Sequence, residues 1–288
     1  VPLPRSATEL KRDIMINPTL SEWLNLIFRW VHVFAGIMWV GTTYYFTWLD
    51  ARLTEEEKAA AATGSPAQIW MVHSGGFYAV EKRKVPDELS RKLHWFRWEA
   101  GLTWLSGMLL LILVYYIGGR VMIDTDVADI SVAQAVGVGL GVLVVGWLVY
   151  DLMVKSPLGK HELVFAGTAY VLIVAETYGL SRLISGRATY MHIGALFGTI
   201  MAANVWMRIL PAQKKMIAAI KAGRKPDDRL AAQAKFRSKQ NTFMAVPLVF
   251  LMLSGSHFGG STTGGYDWLH LALLIPAGWI AAKFIRRA

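Results

Sequence analysis

The sequence predicts an all-α fold, a polytopic membrane helical bundle with seven spanning helices. Two observations carry this reading. Apolar runs recur at bilayer length: SVAQAVGVGLGVLVVGWLVYDLMV at 131–154 has no charge before Asp151, and LVFAGTAYVLIVAETYGLS at 163–181 has one acid. About 20 such residues cross the hydrocarbon core. The charged residues sit between these runs rather than within them, although the chain is 54% hydrophobic with 12 Trp among 288 residues.

Seven spans follow, at about 21–47, 97–118, 131–153, 163–182, 189–209, 241–258 and 267–284. Residues 1–20 read as an N-terminal tail, and 21–288 as the transmembrane domain. The tail VPLPRSATELKRDI has no hydrophobic core and so does not read as a cleavable signal peptide. Pro18 and Ser21 are start signals for the first helix, which is long enough to tilt. Pro247 is expected to kink the sixth. The connection 48–96 holds a helical EEEKAAAA and then AQIWMVH and FYAVE around Gly75 and Gly76, a hairpin or an amphipathic segment at the membrane mouth. The connection 210–240 reads as a charged helix, a break at Gly223–Pro226 and a second short helix.

Lysine and arginine set the orientation. Seven lie in 48–96 and nine in 210–240, with Lys155, Lys160, Lys283, Arg286 and Arg287 on the same side of a seven-span chain. That side is expected to be cytoplasmic, with the N-terminus periplasmic and residue 288 cytoplasmic. Arg5, Lys11 and Arg12 in the tail oppose this, and the larger bias elsewhere outweighs them. The net charge of +10 is explained by the membrane surface, without nucleic acid.

The absence of cysteine excludes disulfides, Cys-ligated zinc, iron–sulfur clusters and the CxxCH attachment of haem c. Seven histidines remain as strong ligands. His32, His192, His257 and His270 come from four helices and fall in the outer layer. Such a layer suggests haem b, an apolar ring with axial imidazoles from facing helices, and His32 with His192 are the first choice of ligands. Gly36, one turn from His32, leaves room for a ring plane, and Arg29 suits a propionate. The plainer reading is that an intramembrane histidine bonds a neighbouring helix, or that His257 and His270 sit wet at the interface.

His73, His94 and His161 fall on the cytoplasmic side. LHWFRWE at 93–99 gathers His94, Trp98 and Glu99 at one helix entry, a patch suited to a planar polar ligand or to interfacial anchoring. Glu99, Asp151 and Glu176 are acids in or near apolar runs, where an ionisable group is a functional candidate.

RWVHVFAGIMWVGTTYYFTWLD, GGFYAVEK, LHWFRWEAGLTWLSG and ATYMHIGALFGTIMAANVWMRILPAQKKMI together resemble the membrane domain of the cytochrome c-linked urate oxidase, or urate hydroxylase, family. The resemblance covers nearly all of the chain from about Met15. It implies oxidation of urate to 5-hydroxyisourate in purine catabolism at the bacterial inner membrane. It also implies an eighth helix and a C-terminal cytochrome c domain, which this chain lacks, so that haem c belongs to that domain or to a partner. On this reading urate binds near His73, His94 and His161 with Glu81, Trp98 and Glu99, or deeper beside Glu176 and Asn204. Electrons leave through haem b to a cytochrome c. The alternatives are a b-type cytochrome that only relays electrons, and a purine or ion transporter.

Overall fold

The computed structural model describes residues 17–63, 67–83, 85–86, 92–254 and 267–286. Helix α1 (Pro18–Thr63) starts where Asn17 Oδ1 accepts the Thr19 amide at 3.0 Å. Asparagine caps helices well because it satisfies a free terminal N–H. Within α1, the hydroxyls of Thr42, Thr43 and Thr47 each donate to a carbonyl one turn back, so none is left unsatisfied in an apolar setting. The sequence predicted a span ending near 47 and a separate helix at EEEKAAAA. The two are one helix of 46 residues. At 1.5 Å per residue it is about 70 Å long, more than twice the hydrocarbon thickness, so part of it projects beyond the lipid. Nothing breaks it, since Ala, Glu and Lys continue a helix where the apolar run stops.

Strands β1 (Gln68–His73) and β2 (Gly76–Glu81) form the hairpin expected around Gly75, with Trp70 opposite Ala79 and His73 opposite Gly76. Ser74 and Gly75 both take positive φ, as a tight two-residue turn requires. Lys82 bonds Asp50 of α1 at 2.5 Å and the Tyr45 hydroxyl meets Met71 sulfur at 3.5 Å, which tie the hairpin to the projecting helix.

Helix α2 (Trp98–Leu111) runs on into a π-turn at Ile112–Ile117. Helix α3 (Val132–Lys155) opens with a capping box between Ser131 and Gln134, and α4 (Glu162–Ser181) follows a short 3-10 turn at Pro157–Lys160. Helix α5 (Gly186–Ala203), a second π-turn (Asn204–Ile209) and α6 (Leu210–Lys221) form one rod. Gly223, with φ of 66°, ends it, as the predicted break required. Helix α7 (Asp228–Ser254) and α8 (Asp267–Ile285) complete the chain. The second half of the basic connection is therefore not a short helix but the start of α7.

The core forms around α5. Half of the apolar window in its rod is buried, against 11% for α1, so α5 is central and α1 peripheral. Tyr190, Ile193, Leu196 and Phe197 are the buried centre. Pro247 lies inside α7, and α8 approaches it so closely that a Cβ on Gly278 would stand 2.9 Å from the proline ring. Small residues permit such backbone approach between membrane helices.

Six helices among the described residues are long and apolar enough to span, rather than seven. The missing one is the predicted span 241–258. Helix α7 begins with the polar stretch Asp228–Gln240, its apolar part runs only from Phe243 to Ser254, and residues 255–258 lie outside the described residues. The chain is thus an all-α polytopic bundle with several long apolar helices and one small hairpin.

Candidate functional site

His32 and His192 are each held at an interface between helices. His32 Nδ1 lies 2.8 Å from the Thr103 carbonyl and 3.3 Å from Ser106 Oγ, and its ring packs over Gly107, where a Cβ would come within 2.8 Å of Cε1. His192 is wholly buried. Its Nδ1 lies 2.7 Å from the Ala188 carbonyl, and its Nε2 is 3.2 Å from the Tyr116 hydroxyl. The two rings stack at 5.9 Å, and a Cβ on Gly139 of α3 would collide with Nε2. The π-turn of α2 presents both Tyr115 and Tyr116 to this histidine.

The two histidines meet α2 at different levels. Gly107 and Tyr116 are nine residues apart, or about 13 Å along a helix axis. His192 Nε2 is closed off by Tyr116 and Gly139. Each imidazole fits an interhelical contact, and His192 as placed has both ring nitrogens engaged. A Cβ on Gly36 would meet Thr103 Cγ2 at 3.8 Å, and Arg29 is exposed with its Nε 2.5 Å from Asn25 of its own helix. His270 is exposed on α8 beside a shallow apolar groove with Phe250, Leu273 and Leu274. His257 lies outside the described residues. Among the described residues no three His, Asp or Glu side chains are grouped as metal ligands.

The mouth residues are neighbours in sequence but face different partners. The His94 ring packs edge-on against Phe96 at 4.5 Å, and Trp98 packs against Trp206 at 5.6 Å. Glu99 turns toward a groove of about 240 Å³ between α1 and α2, lined by Trp30, Phe34, Met38, Trp98 and Leu102. Its Oε2 is buried there without a hydrogen-bond partner. His73 is exposed at the hairpin tip, and His161 is exposed just before α4. No hydrogen bond joins His73, His94 and His161 among the described residues. Glu81 pairs with Arg83 at 2.8 Å. Glu176 is half-buried on α4, about 21 Å along that helix from Glu162, and so belongs to the opposite end of the bundle.

The polar centre of the bundle lies instead around Asp151. Its Oδ1 accepts from Arg237 at 2.7 Å and from Arg208 Nε at 2.8 Å, and its Oδ2 accepts from Lys155 at 2.7 Å and from Arg208 Nη2. Arg237 also donates to Asn204 Oδ1 at 2.8 Å. Asn204 donates to the Tyr150 hydroxyl and to Asn241 Oδ1, both at 2.9 Å, and Tyr150 donates to Gln240 at 2.6 Å. Asp151, Arg237, Asn204 and Asn241 are all buried. The second π-turn delivers Asn204 and Arg208 to this cluster while turning Trp206 toward Gly101 and Trp98. Extra-residue turns of this kind recur at functional sites because they re-aim side chains.

Further ion pairs surround the cluster, and the excess of cations at this end comes from residues 210–240. Lys82 and Lys235 pair with Asp50, and Lys239 pairs with Glu162. Burial lowers the pKa of Arg286 most, and the charges of Asp50 and Glu162 oppose that shift. Sequence reasoning named Asp151 and Asn204 but missed Arg208, Arg237 and Asn241. The signal was spacing: Asp151 with Lys155, Asn204 with Arg208 and Arg237 with Asn241 are three polar pairs four residues apart, each on one helical face.

This fold and this site define a polytopic helical membrane protein with a buried ionic cluster near a basic end. The family model described as urate oxidase N-terminal matches residues 18–288, and the chain belongs to that family. No curated protein and no solved structure matches the chain.

Proposed function

We propose that the chain oxidises urate to 5-hydroxyisourate at a bacterial inner membrane and that a cytochrome c takes the electrons. The family match over residues 18–288 is the observation that carries this reading. The reaction consumes urate and water and releases two electrons and two protons, so two one-electron acceptors are reduced per turnover. The basic end suits an anionic substrate, since clustered cations raise its local concentration. By the same charge bias that end faces the cytoplasm.

Haem b is the relay that the sequence suggested. His192 has both ring nitrogens engaged, by the Ala188 carbonyl and the Tyr116 hydroxyl. What the chain itself supplies is a place for a planar anion, exclusion of bulk water within a helical bundle, and carboxylates to accept protons. Glu99 has the unpartnered oxygen for that last task.

The test is anaerobic mixing of the membrane-embedded protein with urate and ferricytochrome c. The expected result is two ferrocytochrome c formed per urate lost, with 5-hydroxyisourate as the first product. Urate that stays intact while cytochrome c stays oxidised sinks the proposal. Urate that crosses a sealed vesicle unchanged points to the transporter alternative.

A further inference from the structure

We infer that the cluster around Asp151 is a binding site for a planar, charge-delocalised oxyanion, and that its occupant is the urate anion, entering past Arg208 and Lys155. The inference rests on the proposed function and adds the place of binding.

The first argument is charge. One carboxylate, Asp151, takes hydrogen bonds from three cations, Lys155, Arg208 and Arg237. Both of its oxygens are already shared between donors, so Asp151 cannot neutralise more. Arg237, the buried one, balances Asp151, and the two remaining positive charges stand on Arg208 and Lys155 at a half-exposed rim. Clustered cations at such a rim attract an arriving anion. The neighbouring carboxylates do not supply it. Asp50 is engaged by Lys82 and Lys235, and Glu162 by Lys239.

The second argument is access. The Arg237 side chain is only 5% exposed, and both of its terminal nitrogens donate inward, to Asn204 and Asp151. It forms the floor. The side chains of Arg208 and Lys155 are 35% and 53% exposed and form the rim. Arg208 bonds Asp151 through Nε and Nη2, which leaves Nη1 for a ligand.

The third argument is shape. The Arg208 guanidinium lies 5.8 Å from the Trp147 ring centre, and Arg237 lies 6.0 Å from it. The Trp147 ring lies beside the Arg208 guanidinium, and Nε and Nη2 are fixed by Asp151, so the rim offers a positioned guanidinium rather than a free one. Guanidinium planes stack on flat π systems and bind oxyanions by paired hydrogen bonds, where an ammonium offers only a point charge. The phosphate of an anionic lipid shares the oxyanion chemistry, but it is tetrahedral and gains nothing from stacking.

The experiment measures urate binding by equilibrium dialysis, with the protein in phosphatidylcholine nanodiscs. Arg208→Gln is expected to weaken binding at least about tenfold, the loss expected of one charge-assisted hydrogen bond, and its melt, lowered by the two lost bonds to Asp151, is followed to confirm that the variant stays folded at the dialysis temperature. Arg208→Lys should recover only part of the affinity. Lys155→Gln, at the more exposed rim, gives a second reading that does not depend on the first variant folding. Lys225→Gln, which removes an equal charge from the distant loop, should bind as wild type does. Wild-type affinity in both rim variants overturns the placement and leaves the proposed function standing. Retained urate affinity in Arg208→Gln with loss of co-purifying anionic lipid overturns it in favour of a headgroup. Wild-type protein that neither binds nor oxidises urate overturns the functional reading as well.

Discussion

His192 and Tyr116 meet at 3.2 Å across the space that Gly139 leaves on α3, and their rings stack. The histidine has a carbonyl at one nitrogen and a hydroxyl at the other, with no water needed. Three helices are locked together by one buried imidazole. This arrangement makes Gly139 the most sensitive small residue in α3.

Gly139→Ala should therefore lower thermal stability in detergent. Overpacking a filled interior costs about 1–3 kcal/mol. Gly137 and Gly141 flank it, and a Cβ on either would meet nothing within 4 Å. Alanine at those two positions should be neutral or slightly stabilising. Equal melting temperatures for all three variants would show that α3 does not approach His192 as closely as described.

Asp151 compensates a buried guanidinium, so Asp151→Asn should be among the most damaging single changes. Removing one partner of a buried ion pair costs about 3–5 kcal/mol. Asp151→Asn combined with Arg237→Gln removes the orphaned charge too and should recover part of the loss. Unfolding in mixed detergent micelles gives both numbers. A double variant no more stable than Asp151→Asn would place the cost in the surrounding Asn204–Tyr150–Asn241 bonds instead.

Most of the helices were legible because a bilayer imposes a length, and runs such as 131–154 meet it without a charge. The end of α1 was not legible by that rule. The apolar run stops near residue 47, but the helix continues on Ala, Glu and Lys for another sixteen residues, to Thr63. Histidines inside apolar runs were visible as anomalies, and both do sit at helix interfaces. Their partners were invisible, because Thr103 and Ala188 contribute backbone carbonyls and any residue has one. The basic connection misled most. Arg237 read as part of a charged connection and Asn241 as the first residue of the span 241–258, and only packing against α3 and the second π-turn shows them buried together.

His32, inside the first apolar run, is expected to act through packing. His32→Ala loses the bond to Thr103 and leaves a void over Gly107. Interhelical hydrogen bonds in membranes average about 0.6 kcal/mol, so the melting temperature should fall modestly, with a further drop from the void. The absorption spectrum in the Soret region should not change between wild type, His32→Ala and His192→Ala. A low-spin b-type signal that vanishes in both variants would mean that His192 leaves Ala188 and Tyr116 to bind iron in a second arrangement.

Glu99 separates stability from turnover most sharply. Its Oε2 is buried without a partner, in a groove otherwise lined by Trp30, Phe34, Met38, Trp98 and Leu102. An unsatisfied buried polar atom costs about 1–3 kcal/mol. A leucine there would fill apolar space and remove the cost, so Glu99→Leu should melt at the wild-type temperature or above it. Under the proposed function this carboxylate is the proton acceptor, reached from the Asp151 cluster through water rather than by direct contact with urate. Loss of a general base lowers rates by about 10²–10⁴-fold, and Glu99→Leu should lose cytochrome c reduction on that scale while binding urate normally. Glu99→Asp should keep a measurable part of the rate. The measurement is turnover beside thermal stability for the same preparations. A stable Glu99→Leu protein with wild-type turnover would leave the carboxylate without a role in proton transfer, and Asp151 would be the next residue to examine. A variant that loses stability and turnover together would mean instead that Glu99 has a structural partner at the α1–α2 interface.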